Sequence, residues 1–390
     1  MDGMGKLSDL FANLTPNWFA SIMGTGIVAT AAVTLPIQFP GLRIAATVLW
    51  GVVFLLLILL TASTVVHWVR HRETALSHHN HPVMAHFYGA PPMAMLTVGA
   101  ATLLLGKDVI GERLALGIDA GLWILGTVLG LASAVAVPYL QFTRHNVTAA
   151  DAFGGWLMPV VPPMVSASTG ALLLPYVPSG QLGLTMLMAC YAMFGLSLMA
   201  SLIIIPLIWY RLALHKDLAA SAVPTLWIVL GPLGQSITAA NLLGSNAHLV
   251  ASGTLASALE VFGVLYGVPV LGFALMWAAL AAVITVRTLR RGLPFSLTWW
   301  SFTFPLGTCV TGLSGLAAHT HLAVFEAMAV GGYALLLGAW AVVATRTFHG
   351  SVVKGVLFQA PGGAAPVGAA SAGVASCSVV GSSFGLPRRA

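Results

Sequence analysis

Charge is the scarcest component of this chain. Of 390 residues, 16 are Lys or Arg and 10 are Asp or Glu, 7% in all, against 58% hydrophobic residues. Soluble domains ordinarily carry about a quarter charged residues, so a water-soluble enzyme of this length is excluded. The shortage of basic residues also argues against a nucleic-acid partner. Cysteine is almost missing too: Cys190, Cys309 and Cys377 share no paired spacing, which leaves neither a disulfide framework nor a thiolate metal site.

Apolar sequence in long runs is what the chain has instead. A run of about 20 apolar residues spans the roughly 30 Å of bilayer hydrocarbon. Ten such runs are present, near 18–36, 42–69, 82–105, 114–137, 156–175, 181–210, 224–245, 255–286, 296–318 and 322–345. The expected fold class is an all-α polytopic membrane protein with the lipid bilayer as its solvent. Cytoplasmic loops carry the excess of Lys and Arg. Arg70, Arg72, Arg144, Arg211, Lys216, Arg287, Arg290 and Arg291 fall in the second, fourth, sixth and eighth loops, and Lys6, Arg346, Lys354, Arg388 and Arg389 near the termini. Only Arg43, Lys107 and Arg113 fall on the other side. Both termini are therefore expected in the cytoplasm of a cell-membrane protein. Residues 1–17 read as a short cytoplasmic arm, 18–347 as the transmembrane domain, and 348–390, rich in Gly, Ala and Ser, as a disordered cytoplasmic tail. The small residues at Ala29, Thr30 and Ala31 fit a signal-peptide cleavage site, but Asp2 and Asp9 offset Lys6, and the first run is read as a retained helix.

The runs are interrupted with a period. Pro92, Pro162, Pro232 and Pro305 lie about 70 residues apart, and Gly24, Thr25 and Gly26 lie at a similar distance before the first. Proline removes a backbone N–H and clashes with the preceding turn. Freed backbone polar groups are tolerated at membrane depth only where protein or a water-filled cavity meets them. Five breaks on the odd-numbered runs predict five helical hairpins, with an inner ring of five kinked odd-numbered helices around a pore. An aromatic residue precedes the proline by five positions at Phe87, Trp227 and Trp300. Pro206 and Pro269 lie on even-numbered runs, and Pro269 does not fit the scheme.

No Asp, Glu, Lys or Arg occurs in the odd runs, and His86 is their readily ionisable group. The predicted pore is uncharged, with hydroxyls near the breaks: Ser21 and Thr25; Thr97; Ser166, Ser168 and Thr169; Ser236 and Thr238; Thr303, Thr308 and Thr311. Hydroxyl donors and positive helix ends favour anions. Small and hydroxylated residues also serve ordinary helix packing in membranes, so the pattern across five units carries the argument. The expected pore-lining set is Gly24, Thr25, Gly26, Pro92, Pro162, Ser166, Pro232, Ser236, Pro305 and Thr308. Asp119, Glu260 and Glu326 fall near the starts of even runs and are expected as interfacial anchors, where the helix dipole favours a carboxylate. His67, His71, His78, His79, His81 and His86 gather at the second loop. A metal-dependent sensor or enzyme is the alternative they raise, but no Cys or Glu completes a ligand set, and neither metal nor cofactor is expected. His319 and His321 lie toward the opposite face.

Two stretches carry a resemblance: Pro16-Asn17-Trp18-Phe19-Ala20-Ser21-Ile22-Met23-Gly24-Thr25-Gly26 and Trp299-Trp300-Ser301-Phe302-Thr303-Phe304-Pro305. With five paired runs, residues 16–347 resemble the tellurite-resistance/dicarboxylate transporter family, which includes plant slow anion channels and fungal malate and sulfite transporters. The resemblance implies a homotrimer with one pore per subunit, and a phenylalanine of the ninth span plugging that pore. By motif the plug is Phe304, with Phe302 as the fallback and Gly24 as the small partner that leaves room for the ring. The function implied is passage of small anionic substrates, foremost C4-dicarboxylates such as malate. Sulfite, chloride, nitrate and tellurite are the alternatives.

Overall fold

The computed structural model describes residues 12–216 and 218–358. Among these the secondary structure is entirely helical. The main helices are α1 (Phe19–Thr34), α2 (Leu42–Arg70), α3 (Met84–Ile110), α4 (Glu112–Thr143) and α5 (Pro162–Leu173). They are followed by α6 (Gln181–His215), α7 (Ala220–Leu249), α8 (Gly253–Leu289), α9 (Phe304–Thr320) and α10 (Ala323–Phe348). A short helix, Arg72–Asn80, joins α2 to α3. Among the described residues, seven helices are long and apolar enough to cross a membrane: α2, α3, α4, α6, α7, α8 and α10. The other three are shorter, 16 residues in α1, 12 in α5 and 17 in α9.

Burial divides the helices into two kinds. Helices α1, α5 and α9 and the middle of α3 and α7 are buried on nearly every side. Helices α2, α4, α6, α8 and α10 bury one stripe each, as α8 does with Gly263, Gly267, Leu271, Ala274, Trp277, Ala281 and Thr285. That three-or-four-residue spacing is a single helical face, and the faces left exposed carry Ile44, Val52, Leu125, Ile203 and Leu335. Helix α1 packs on α3, α3 on α5, α5 on α7, α7 on α9, and α9 on α1. The second kind lies behind: α2 on α1, α4 on α3, α6 on α5, α8 on α7, α10 on α9.

The prolines work differently from simple mid-helix kinks. Each of the five units enters through a 3-10 turn that holds its aromatic residue: Trp18 in Pro16–Trp18, Phe87 in Met84–Gly89, Trp156 in Gly154–Leu157, Trp227 in Ala220–Val229 and Trp300 in Leu297–Phe302. Pro92, Pro162, Pro232 and Pro305 then stand in the opening turn of the α-helical segment. A first-turn N–H has no intrahelical acceptor in any case, so proline costs little there. Polar groups left over are taken by helices of the second kind. Ser197 of α6 donates to the Val160 carbonyl at 2.6 Å and accepts from the Met164 amide at 3.0 Å, and Ser133 of α4 donates to the Pro159 carbonyl at 3.0 Å. Tryptophan N–H groups do similar work: Trp50 on Thr102, Trp123 on the Ser166 carbonyl, Trp277 on the Leu226 carbonyl and Trp340 on Thr25, at 2.9–3.1 Å.

Several expectations change here. Pro269 leaves α8 a single helix, as Pro138 does α4 and Pro206 does α6. Helix α3 runs past 105 to Ile110 and so includes Lys107 and Asp108. At the start of the segment expected as a tail, a π turn, His349–Val353, extends α10, and Phe358 stacks on Trp18 at 4.7 Å. The rest of the tail, with Cys377, and residues 1–11 of the arm lie outside the described residues.

Candidate functional site

A cavity of about 320 Å³ draws its lining from α1, α3, α5, α7 and α9. Its polar residues are Thr30 and Thr34, Thr97, Ser168 and Thr169, Gln235, Thr238, Asn241 and Ser245, and Thr311, Ser314 and His319. One of them in every unit stands five or six positions beyond the break: Thr30 after Gly24, Thr97 after Pro92, Ser168 after Pro162, Thr238 after Pro232, Thr311 after Pro305. Most of the hydroxyls donate into their own helix, Thr97 to the Met93 carbonyl at 2.7 Å, Thr169 to Val165 at 2.8 Å and Ser314 to Val310 at 2.9 Å. Their protons turn toward a solute only by rotation about the C–O bond. The buried Gln235 amide donates to Ser168 Oγ and so ties α7 to α5. His319 is the one ionisable residue in the lining. Its Nδ1 meets the Gly315 carbonyl at 2.8 Å and its Nε2 meets Ser245 Oγ at 2.9 Å. Since a carbonyl only accepts, Nδ1 carries a proton directed at Gly315, while the Nε2 contact with the serine hydroxyl serves in either direction.

On the other side of Phe304 lies a small void of about 20 Å³ with an apolar wall that includes Ala20, Met23, Phe87, Met93, Ile228 and Trp300. Phe304 is the residue common to both linings. It is the first residue of α9 and 3% exposed. Phe302 faces elsewhere, edge-on to Trp227 at 5.7 Å and Trp299 at 5.6 Å, on the floor of an outward groove. Two positions apart, the rings point to opposite sides of the 3-10 to α junction.

Of the expected lining set, Pro305 borders the small void, and the other nine line neither cavity. They lie at helix contacts instead. Gly24 makes room for Trp300 and Thr303, the side chains a Cβ there would meet first. Gly26 backs onto Thr97, while Pro92 and Pro162 lie against Gly126 and Gly130 of α4. Thr25 accepts from Trp340, and the Ser166 carbonyl accepts from Trp123. Ser236 and Thr308 donate to Leu233 and Pro305 carbonyls at 2.8 and 2.7 Å, and Pro232 is buried.

The acids and histidines also fall differently. Asp119 is 1% exposed, lies against Gly99, and its carboxylate has no hydrogen-bond partner among the described residues, so it is not an interfacial anchor. Glu260 is exposed and Glu326 partly so. His86 is buried beside Phe153 and Trp156 and lines neither cavity. The His67 ring stands 5.7 Å from His78 and 6.2 Å from His71. Burial first, then His67, His79 and His81, push the His78 imidazole down to about 4, and among the described residues no group of three His, Cys, Asp or Glu is arranged to hold a metal ion.

A cavity with many hydroxyls, no carboxylate and no Lys or Arg, bordered by an aromatic ring, has the chemistry an ion pathway needs. The voltage-dependent anion channel family matches residues 13–348 of the chain. The chain belongs to the voltage-dependent anion channel family. Similar proteins include a transporter of unassigned function from Methanocaldococcus jannaschii, 28% identical over 89% of this chain and 97% of that protein. A sulfite efflux pump of Trichophyton rubrum is 28% identical over 88% of this chain and 92% of its own length, and one of Arthroderma otae is 27% identical over the same shares. As a member of this family the chain is a membrane protein among anion channels and transporters, not among enzymes, in agreement with the resemblance its motifs carry.

Proposed function

We propose that the chain conducts small anions through the cavity between α1, α3, α5, α7 and α9, with Phe304 as the constriction. The observation that carries this reading is the position of Phe304 between a polar cavity and an apolar void. In this reading all ten helices cross the membrane as five hairpins, the short α1, α5 and α9 with help from their 3-10 extensions. The contact order from α1 round to α9 and back is what supports an inner ring. Lys and Arg placement supports cytoplasmic termini, and a cell-membrane homotrimer with one pathway per subunit completes the proposal.

Sulfite is the first substrate to test, because the fungal relatives are named as sulfite efflux pumps. Malate, the leading expectation from the sequence, is the comparison. Purified protein in liposomes, loaded with sulfite, malate or nitrate and examined with and without a pH gradient, gives the ranking. Faster passage of sulfite than malate supports the sulfite reading, and the reverse order restores malate. Cation-selective reversal potentials sink the anion pathway itself.

A further inference from the structure

Between α8 and α10 the surface opens into an apolar groove of about 760 Å³. Its floor is the side of α9 turned away from the cavity, with Phe302, Leu306, Cys309, Val310 and Leu313. At one end, by Thr285, Leu289, Leu293 and Trp299, the groove runs into a shallow depression of about 460 Å³ lined by Arg287, Arg290 and Arg291. Ala282 belongs to both. Arg346 approaches from α10, its guanidinium 4.9 Å from the centre of the Trp299 ring. None of these four arginines forms an ion pair among the described residues, where Asp108 pairs with Arg43.

We propose that the α8–α10 groove is a binding site for one anionic phospholipid, with its acyl chain on the rear of α9 and its phosphate among Arg287, Arg290, Arg291 and Arg346. The charge pattern selects the occupant. Guanidinium forks pair with phosphate oxygens bidentately, and basic pockets beside membrane helices attract acidic headgroups. A zwitterionic lipid would fill the trough but leave the arginines' net charge uncompensated. A second copy of this chain would need acidic groups facing the arginines, and the described acids of α4, α8 and α10, Glu112, Asp119, Glu260 and Glu326, all lie toward the starts of those helices, whereas the arginines lie at the far ends of α8 and α10. The site also touches Phe302 and Leu306, which flank Phe304 in the chain. Occupancy therefore bears on the first turn of the helix that holds the constriction. That last step rests on the proposed role of Phe304; the lipid site does not.

The test uses the full chain in nanodiscs of phosphatidylcholine with or without phosphatidylglycerol, with native mass spectrometry after partial delipidation. The wild type should retain phosphatidylglycerol over phosphatidylcholine. The triple variant R287Q/R290Q/R291Q should lose at least about tenfold of that preference, given roughly a fivefold contribution per arginine. Ala282→Trp, which fills the trough and leaves the arginines, should lose retention of both lipids, and so keeps the proposal testable if the triple variant fails to fold. In liposomes of the same lipids, nitrate flux should respond to phosphatidylglycerol in the wild type and not in either variant. Equal retention by all three proteins overturns the site, as does efficient cross-linking between copies through cysteines introduced at Leu335 and Val283. Absence of nitrate flux in every membrane counts against the transport reading, while lipid retention still decides the site.

Discussion

Replacing Phe304 by Ala tests the constriction directly. The ring is 3% exposed yet borders open space on both sides, a cavity of about 320 Å³ and a void of about 20 Å³. Phe→Ala in a close-packed core costs about 3–5 kcal/mol. Here part of the ring surface faces space already empty, so the loss of stability should fall at or below about 3 kcal/mol. The transport effect should be larger in relative terms. Removing the ring joins the two spaces, and every ~1.4 kcal/mol taken off the barrier multiplies the rate tenfold. An anion crossing an apolar plug sheds water that the plug cannot replace, so a gain of at least about tenfold is expected. Nitrate flux into liposomes is the assay, because nitrate does not titrate in the working range, with thermal unfolding in detergent as the control for folding. Phe304→Leu should give an intermediate rate, and Phe302→Ala should leave the rate within about twofold. Folded Phe304→Ala with wild-type flux refutes the constriction, and an equal gain from Phe302→Ala shifts the plug to that ring.

Three further outcomes follow from the geometry. Gln235→Leu removes the amide N–H groups of the cavity wall and its tie to Ser168; nitrate flux should fall several-fold while the thermal midpoint moves little, and an unchanged rate would take Gln235 off the pathway. Gly234→Ala drives a methyl group into the Cys309 amide and to within 2.6 Å of the Thr308 carbonyl carbon, so α7 and α9 must separate, at a cost of about 1–3 kcal/mol visible as a lower unfolding temperature. His78 lies outside the membrane spans with its pKa held down at about 4. Between that value and the unfolded value of about 6.5 the unfolded chain binds a proton that the folded helix Arg72–Asn80 does not, so its stability is lost as pH falls through the window. After correction for the intrinsic exchange rate, which itself falls as pH falls, protection over residues 72–83 should drop from pH 7 to pH 5, and His78→Asn should flatten that response.

The five-unit period was legible because proline and glycine punctuate the sequence visibly, and the uncharged character of the site was legible because Asp, Glu, Lys and Arg are absent from whole runs. Facing was not. The breaks are the conspicuous positions, but a proline in an opening turn serves backbone geometry, and Pro92 and Pro162 rest on Gly126 and Gly130. The lining lies about six residues on, at Thr97, Ser168, Thr238 and Thr311. That offset was present in the sequence and would have marked the cavity. The choice between Phe302 and Phe304 was open for another reason: a change of helix type lies between them, and side-chain direction across such a junction does not follow from period 3.6. The burial of Asp119 is equally invisible, because position along a helix says nothing about which side of it is covered.

The passage from 3-10 to α winding at each break has one more consequence. An α-helix advances about 100° per residue, so the few residues between the entry aromatic and the polar position fix the azimuth at which Thr97, Ser168, Thr238 and Thr311 meet the cavity. Loops at the two membrane faces can lengthen or shorten without disturbing that azimuth. One residue inserted between Trp300 and Thr311 cannot be absorbed in that way: it would swing the hydroxyl out of the cavity and into a neighbouring helix.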